Sequence, residues 1–139
     1  MRIMAIDYGD AHTGIAISDP TGFLAGFTTT IDAYRPEVVV QRITELARQH
    51  SAEELVLGHP KNMDGTLGPR AEKAEAMAEL LKEATGLPVI LWDERRTTID
   101  AHQILMAGGK NAKKRKKVVD AVAASLILEG YLTYKRAHP

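Results

Sequence analysis

Apolar residues fall in short runs over the first part of the chain. The runs cover residues 2–8, 13–18 and 25–31, and β-branched residues are frequent in the third. Asp-Pro-Thr-Gly at residues 19–22 is a strong turn signal between the second and third runs. Short apolar runs with short connections predict three strands that pair antiparallel as a meander.

After Pro36 the apolar spacing alternates between that of helices and that of strands. Helical spacing predicts helices over residues 36–50, 70–85, 98–106 and 118–134, and strand-like runs cover residues 54–58 and 88–92. This alternation favours parallel pairing through crossover helices. We therefore predict one α/β domain over residues 1–139. Its mixed five-stranded sheet has three antiparallel strands followed by parallel β-α-β units, and helices flank the sheet.

Composition narrows the class of protein. The chain has 139 residues, 45% of them hydrophobic and 26% charged, as in ordinary soluble domains. It has no cysteine, which excludes disulfide scaffolds and Cys-ligated zinc. Asp7 interrupts the first apolar run, and no run approaches the ~18 residues of a membrane span. We expect a cytoplasmic protein without a signal peptide or membrane segment.

Basic residues are concentrated in one segment although the net charge is zero. Six of the eight residues from Lys110 to Lys117 are Lys or Arg, and they precede the predicted helix over residues 118–134. We interpret the segment as a basic loop that binds an anionic partner such as nucleic acid. The candidate phosphate contacts within it are Lys113, Lys114, Arg115, Lys116 and Lys117.

Three acids occupy positions suited to a metal site. Asp7 ends the first predicted strand, Glu94 follows the fifth, and Asp120 lies in the first turn of the last predicted helix. Ligands gather at the carboxyl ends of parallel strands. Converging carboxylates repel one another unless hard cations such as Mg²⁺ or Mn²⁺ bind them, and two such ions can hydrolyse a phosphodiester. Taken singly, each acid could also be a turn residue, a solvated loop residue or a helix-dipole partner.

Four segments in this order resemble the YqgF/RuvX family over nearly the full length. They are residues 7–19 (DYGDAHTGIAISD), 58–65 (GHPKNMDG, with Gly68 and Arg70 after it), 93–98 (DERRTT) and 116–124 (KKVVDAVAA). Members of that family are described as pre-16S rRNA nucleases or Holliday junction resolvases. The resemblance implies an RNase H-like fold and a metal-binding catalytic site of Asp7, Glu94 and Asp120.

The resemblance also suggests how substrate is held. The expected partner is structured RNA such as a ribosomal precursor, or branched DNA, and the protein is a monomer or a homodimer. Outside the basic segment, the candidate nucleic-acid contacts are His12, Lys61, Asn62, Arg70, Arg95 and Arg96.

His12 departs from the family pattern, which usually has Arg there. Because neutral His lacks the fixed charge and fork of Arg, we expect weaker substrate binding or a preference for lower pH. Alternatively, the residue at position 12 only caps a tight hairpin and does not contact substrate.

Three other interpretations stay open. The first two are junction resolution in DNA recombination and non-catalytic RNA binding in ribosome assembly. A third is an actin-like ATPase or sugar kinase, since Asp7, Gly9 and Gly14 resemble its first phosphate loop. The chain has the size of a single lobe and no second such loop after residue 58, which argues against the kinase.

Overall fold

A computed structural model of the protein describes residues 1–22, 25–60, 68–93 and 112–138, with only the backbone over 112–120. Within these ranges the strands are β1 (Ile3–Asp7), β2 (His12–Ser18), β3 (Ala25–Asp32), β4 (Glu54–His59) and β5 (Val89–Asp93). The helices are α1 (Pro36–Gln49), α2 (Pro69–Thr85) and α3 (Ala112–Ala137). The helix predicted over residues 98–106 lies outside the described residues.

The strands form one mixed sheet in the order β3-β2-β1-β4-β5. β2 pairs antiparallel with β1 and with β3, whereas β4 pairs parallel with β1 and with β5. The predicted mixed α/β sheet is therefore confirmed, and the strand ends differ from the prediction by one residue or so. All five residues of β1 are buried, as expected for the central strand of a sheet covered on both faces.

Side-chain alternation along the strands separates two apolar clusters. Met4 and Ile6 face the cluster that includes α1 and α2, whereas Ile3 and Ala5 face the cluster formed with α3. The sheet thus has an α1/α2 face and an α3 face. In the described part of the chain, no helix is long and apolar enough to cross a membrane.

The last helix begins earlier than predicted. α3 starts at Ala112, so Lys113, Lys114, Arg115, Lys116 and Lys117 are helical and do not form a loop. Asp120 consequently lies in the third turn of the helix, not in its first. The physical reason is that Lys and Arg are good helix formers, and a run of polar residues need not be a loop.

The direction of α3 follows from contacts near its end. The Tyr131 hydroxyl donates a hydrogen bond to Oε1 of Glu54, the first residue of β4, and the Lys135 Nζ donates to Oε2 of Glu54 at 3.0 Å. Glu54 is the parallel partner of Ile3 at the start of β1. The C-terminal part of α3 therefore lies over the beginnings of β1 and β4, and α3 runs antiparallel to both.

Candidate active site

Asp7 ends the central strand on the α3 face. It is a buried carboxylate, 8% exposed, and it shares a sheet face with Ile3 and Ala5. Its direct partner across the β1–β2 pair is Gly14, which carries no side chain. Asp7 is thus a buried acid at a strand end, beside a residue without a side chain.

The backbone of Asp120 lies at the same end of the sheet. Ala123 and Ala124, three and four residues further on, are fully buried, and Ala124 belongs to the α3-face cluster. Small residues at these positions let the helix lie close to the sheet. Eleven residues separate Asp120 from Tyr131, a rise of about 16 Å along α3. Four residue steps along β1 separate Ile3 from Asp7, about 13 Å. Tyr131 contacts Glu54, which pairs with Ile3 at the start of β1, and α3 runs antiparallel to β1. The two distances therefore place the backbone of Asp120 at about the same position along the strand direction as Asp7.

Several predicted site residues cannot be compared with the structure. Glu94, Arg95, Arg96, Lys61 and Asn62 lie outside the described residues. β5 ends at Asp93, which confirms that Glu94 directly follows the fifth strand in sequence. Among the residues that the structure describes, no three His, Cys, Asp or Glu side chains group as metal ligands. The meeting of the three carboxylates stays a prediction.

His12 lies beside Asp7 on the α3 face. It begins β2 and is two residues before Gly14, so it shares the sheet face of Asp7 as a diagonal cross-strand neighbour. Its Nδ1 is 2.8 Å from Oδ1 of Asp32, its direct partner at the end of β3. The His12 side chain is 18% exposed and that of Asp32 is 49% exposed. The contact with Asp32 therefore fixes the orientation of the His12 ring at the edge of the site.

Gly9 fits closely against the backbone of His12. A β-carbon added at Gly9 would lie 2.4 Å from the His12 carbonyl oxygen, which is a severe overlap with backbone. The β1–β2 connection therefore needs glycine here, and this tight approach sets the position of His12 relative to Asp7.

A second group of charges flanks the site on the α1/α2 side. Lys73 of α2 donates a 2.9 Å hydrogen bond to Asp10, in the connection that follows β1. Burial raises the pKa of Tyr8; nearby Asp10 raises it further, and Lys73 opposes the shift. Arg70, a predicted contact, is exposed in the first turn of the same helix. Arg70 and Lys73 are one turn apart and add positive charge beside the end of β1.

His59 is the last residue of strand β4, one residue beyond the predicted strand-like run over residues 54–58. It is 9% exposed, follows the side-chain alternation of Leu55 and Leu57, and faces α2. Its Nε2 is 3.0 Å from Oε1 of Glu75 on α2. His59 therefore fastens β4 to α2 on the face opposite Asp7.

Sequence reasoning missed Asp32, Lys73 and Asp10. Asp32 could have been found from hairpin register, because an antiparallel meander places the end of β3 beside the start of β2. The Lys73–Asp10 contact joins residues 63 positions apart, and no local pattern in the sequence indicates it.

Comparison with known proteins gives one family. The family model described as "RuvX: Holliday junction resolvase" matches residues 1–134. A protein of Halothermothrix orenii named "Putative pre-16S rRNA nuclease" is 46% identical over 135 residues, which are 97% of this chain and 96% of that protein.

Solved structures agree on the fold. The structure "T. thermophilus RuvC in complex with Holliday junction substrate" matches with a TM-score of 0.66 at 15% identity, covering 99% of this chain and 97% of that one. The fold is therefore RNase H-like, as predicted. A ROK hexokinase from Thermus thermophilus matches with a TM-score of 0.51 and 22% identity. The match covers 74% of this chain but only 38% of the kinase, so the likeness reaches part of a much longer protein.

Proposed function

Because the chain belongs to the RuvX family, we propose that it is a metal-dependent nuclease that processes the 5′ end of the small-subunit ribosomal RNA precursor. The substrate assignment rests on the name of the relative from Halothermothrix orenii. The bond that is cleaved is a phosphodiester. We propose a cytoplasmic location, because the protein would encounter the ribosomal RNA precursor there.

The observation that carries the proposal is the position of Asp7. It is a buried acid at the end of the central strand, on the face covered by α3, and roughly level with Asp120. Glu94 follows the end of β5, two strands away on the same sheet edge, and would supply the third carboxylate.

The donor set fits a hard divalent cation. Asp7, Glu94 and Asp120 offer only carboxylate oxygens, which Mg²⁺ and Mn²⁺ prefer over softer metals. We propose that these three residues hold such ions. Bound there, the ions would activate a water molecule and stabilise the leaving oxygen of a phosphodiester. Asp7 supplies the rigid ligand, since β2 and β4 both pair with its strand.

Positive charge surrounding this edge would hold the polyanion. Arg70 at the start of α2, with Lys61, Arg95 and Arg96, would supply this charge, and His12 and Asn62 would complete the proposed contacts as hydrogen-bonding groups. The basic start of α3 adds Lys113, Lys114, Arg115, Lys116 and Lys117. The first turn of α3 contains no acidic residue. Cations near a helix N-terminus are unfavourable because the helix dipole is positive there. A bound phosphate backbone would relieve that repulsion.

Junction resolution is the second candidate, favoured by the description of the family. Resolution needs two paired cuts, so it requires a homodimer with two active sites, whereas RNA trimming can be carried out by a monomer. Binding without cleavage is the remaining alternative, and the same experiment decides it.

The test offers purified protein a 5′-extended small-subunit rRNA fragment and a four-way DNA junction, in Mg²⁺, Mn²⁺ or EDTA. We expect the RNA to be cut in either metal, and Asp7→Asn to abolish cutting while circular dichroism stays unchanged. Asp19→Asn is the matched control, because Asp19 follows β2 at the opposite end of the sheet from Asp7. Cutting of the junction alone would favour resolution. Tight binding without cutting in any metal would refute the nuclease.

A further inference from the structure

The His12–Asp32 contact fixes where the imidazole carries its hydrogen. The Nδ1 of His12 is 2.8 Å from Oδ1 of Asp32. An ionised carboxylate can only accept hydrogen bonds, so Nδ1 must donate. In the neutral ring the other nitrogen, Nε2, then has a lone pair and acts as an acceptor. A carboxylate partner commonly fixes the tautomer and orientation of a functional His in this way.

The acceptor atom lies on the side of the ring away from β3. Asp32 holds the Nδ1 edge from β3, and β1 with Asp7 lies on the other side of β2. His12 and Asp7 are diagonal neighbours on one sheet face, a separation of about 7–8 Å between Cα atoms. A nucleotide whose phosphate lay at Asp7 would have its sugar within reach of the ring.

The chemistry of Nε2 selects its partner. Phosphate oxygens are acceptors and gain nothing from a second acceptor, whereas a hydroxyl can donate to Nε2. The sugar hydroxyl at the 2′ position is the group by which a protein distinguishes RNA from DNA. Resting on the nuclease function proposed above, we propose that neutral His12, oriented by Asp32, accepts a hydrogen bond from a ribose 2′-hydroxyl. The pair thereby determines specificity for ribose over deoxyribose.

The experiment compares an RNA strand with the same strand carrying 2′-fluoro sugars. Fluorine replaces the hydroxyl and removes its hydrogen-bond donor, while the base sequence and the phosphates are unchanged. Affinity is measured by fluorescence anisotropy in Ca²⁺, a hard cation that carboxylates also bind, and cutting is measured in Mg²⁺. One hydrogen bond of this kind corresponds to a preference of about threefold to tenfold for RNA. In His12→Phe, which keeps a planar ring but has no lone pair, the preference should fall to about one.

Asp32 is a positioning residue, and its role has a readout that does not depend on cleavage. Nitrogen NMR of the His12 ring at pH 8 should show hydrogen on Nδ1 in the wild type. In Asp32→Ala a larger share should carry it on Nε2, with a smaller RNA preference. Asp19→Ala is the matched control. Asp19 accepts a hydrogen bond from the Thr21 hydroxyl beyond the other end of β2, so its replacement should change neither measurement.

The possible results separate this inference from the nuclease proposal. Cutting of both strands with equal affinity would leave the nuclease standing and overturn the role of His12. An undiminished RNA preference in His12→Phe, or hydrogen on Nε2 in the wild type, would also overturn it. Failure of the wild type to bind or cut either strand would refute both proposals together.

Discussion

The Tyr131 hydroxyl donates a hydrogen bond of 2.5 Å to Oε1 of Glu54, across 77 residues of sequence. Glu54 is 8% exposed, and Lys135 donates to its second oxygen. A buried carboxylate with two donors is stabilised, whereas one that is left with a single donor keeps its desolvation cost. The pair therefore secures α3 at the end of the sheet away from Asp7, and α3 carries Asp120.

Tyr131→Phe should lower the free energy of unfolding by about 1–3 kcal/mol, because it removes one donor from a buried charge. Urea denaturation followed by circular dichroism measures it. Tyr134→Phe is the matched control: Tyr134 is 48% exposed, so its replacement should change the free energy by less than about 0.5 kcal/mol. Equal effects of the two changes would contradict a special role for the Glu54 contact.

Stability should depend on Tyr131 at alkaline pH. Burial, reinforced by the hydrogen bond from its hydroxyl to Glu54, raises the pKa of Tyr131 above the ordinary value of about 10. The unfolded chain then ionises first, so the contribution is complete below pH ~10 and is lost as the pH rises further. Unfolding free energies between pH 8 and pH 11 should fall less steeply in Tyr131→Phe than in the wild type. Parallel curves would show that Tyr131 ionises equally in both states.

Gly9→Ala should destabilise the protein, because its β-carbon would overlap the His12 carbonyl oxygen at 2.4 Å. We expect a decrease of about 1–3 kcal/mol in the free energy of unfolding, and weaker RNA binding through displacement of His12. Gly130→Ala is the contrasting control. There the β-carbon meets Trp92 at an ordinary 3.5 Å, and alanine favours the helix by up to about 1 kcal/mol. Thermal melting of both variants should show a lower melting temperature for Gly9→Ala and an unchanged or higher one for Gly130→Ala. An unchanged melting temperature in Gly9→Ala would refute the close approach.

Replacing Lys113 and Lys114 with Gln should weaken RNA and DNA binding alike. Each phosphate-binding cation removed should reduce the slope of log affinity against log salt concentration by about 0.7–0.9, so the double variant should lose about 1.4–1.8. The melting temperature should hold or rise, since cations are unfavourable at the start of α3. Lys82→Gln, at the far end of α2, is the control. An unchanged salt slope in the double variant would exclude these residues from the interface.

His12→Arg tests the expected cost of histidine at this position. Arginine would grip phosphate in every protonation state, so affinity should rise about threefold to tenfold at low salt for both RNA and DNA. The salt slope should steepen by about 0.7–0.9. Unchanged affinity together with an unchanged pH profile would mean that position 12 does not contact the substrate backbone.

The sheet could be predicted well from the sequence because helical spacing and strand-like apolar runs were both clear. Alternation of helical and strand-like runs gave the parallel half, and the turn at residues 19–22 gave the meander. The start of α3 was placed six residues late, at 118 where the structure has 112, because charge density was interpreted as a loop although Lys and Arg form helices readily.

Site prediction was limited by long-range geometry. The position of Asp7 follows from a local pattern, a carboxylate at the end of an apolar run. The Lys73–Asp10 and Tyr131–Glu54 contacts depend on how helices lie across the sheet, and the sequence carries no periodic sign of that. The Asp32–His12 contact depends on strand register, which turn lengths set more sharply than composition does.

The antiparallel course of α3 over β1 also bears on how the protein is made. Asp7 lies in the first strand and Asp120 in the last helix, so synthesis from the N-terminus completes the sheet before its α3 face is covered. During that interval the apolar side chains of Ile3, Ala5 and Val56 lack the helix that buries them. A ribosome-bound chain that stops before α3 would thus hold Asp7 without Asp120. Under the proposed three-carboxylate site such a chain would lack one metal ligand, so we expect it not to cleave RNA of the ribosome that is making it.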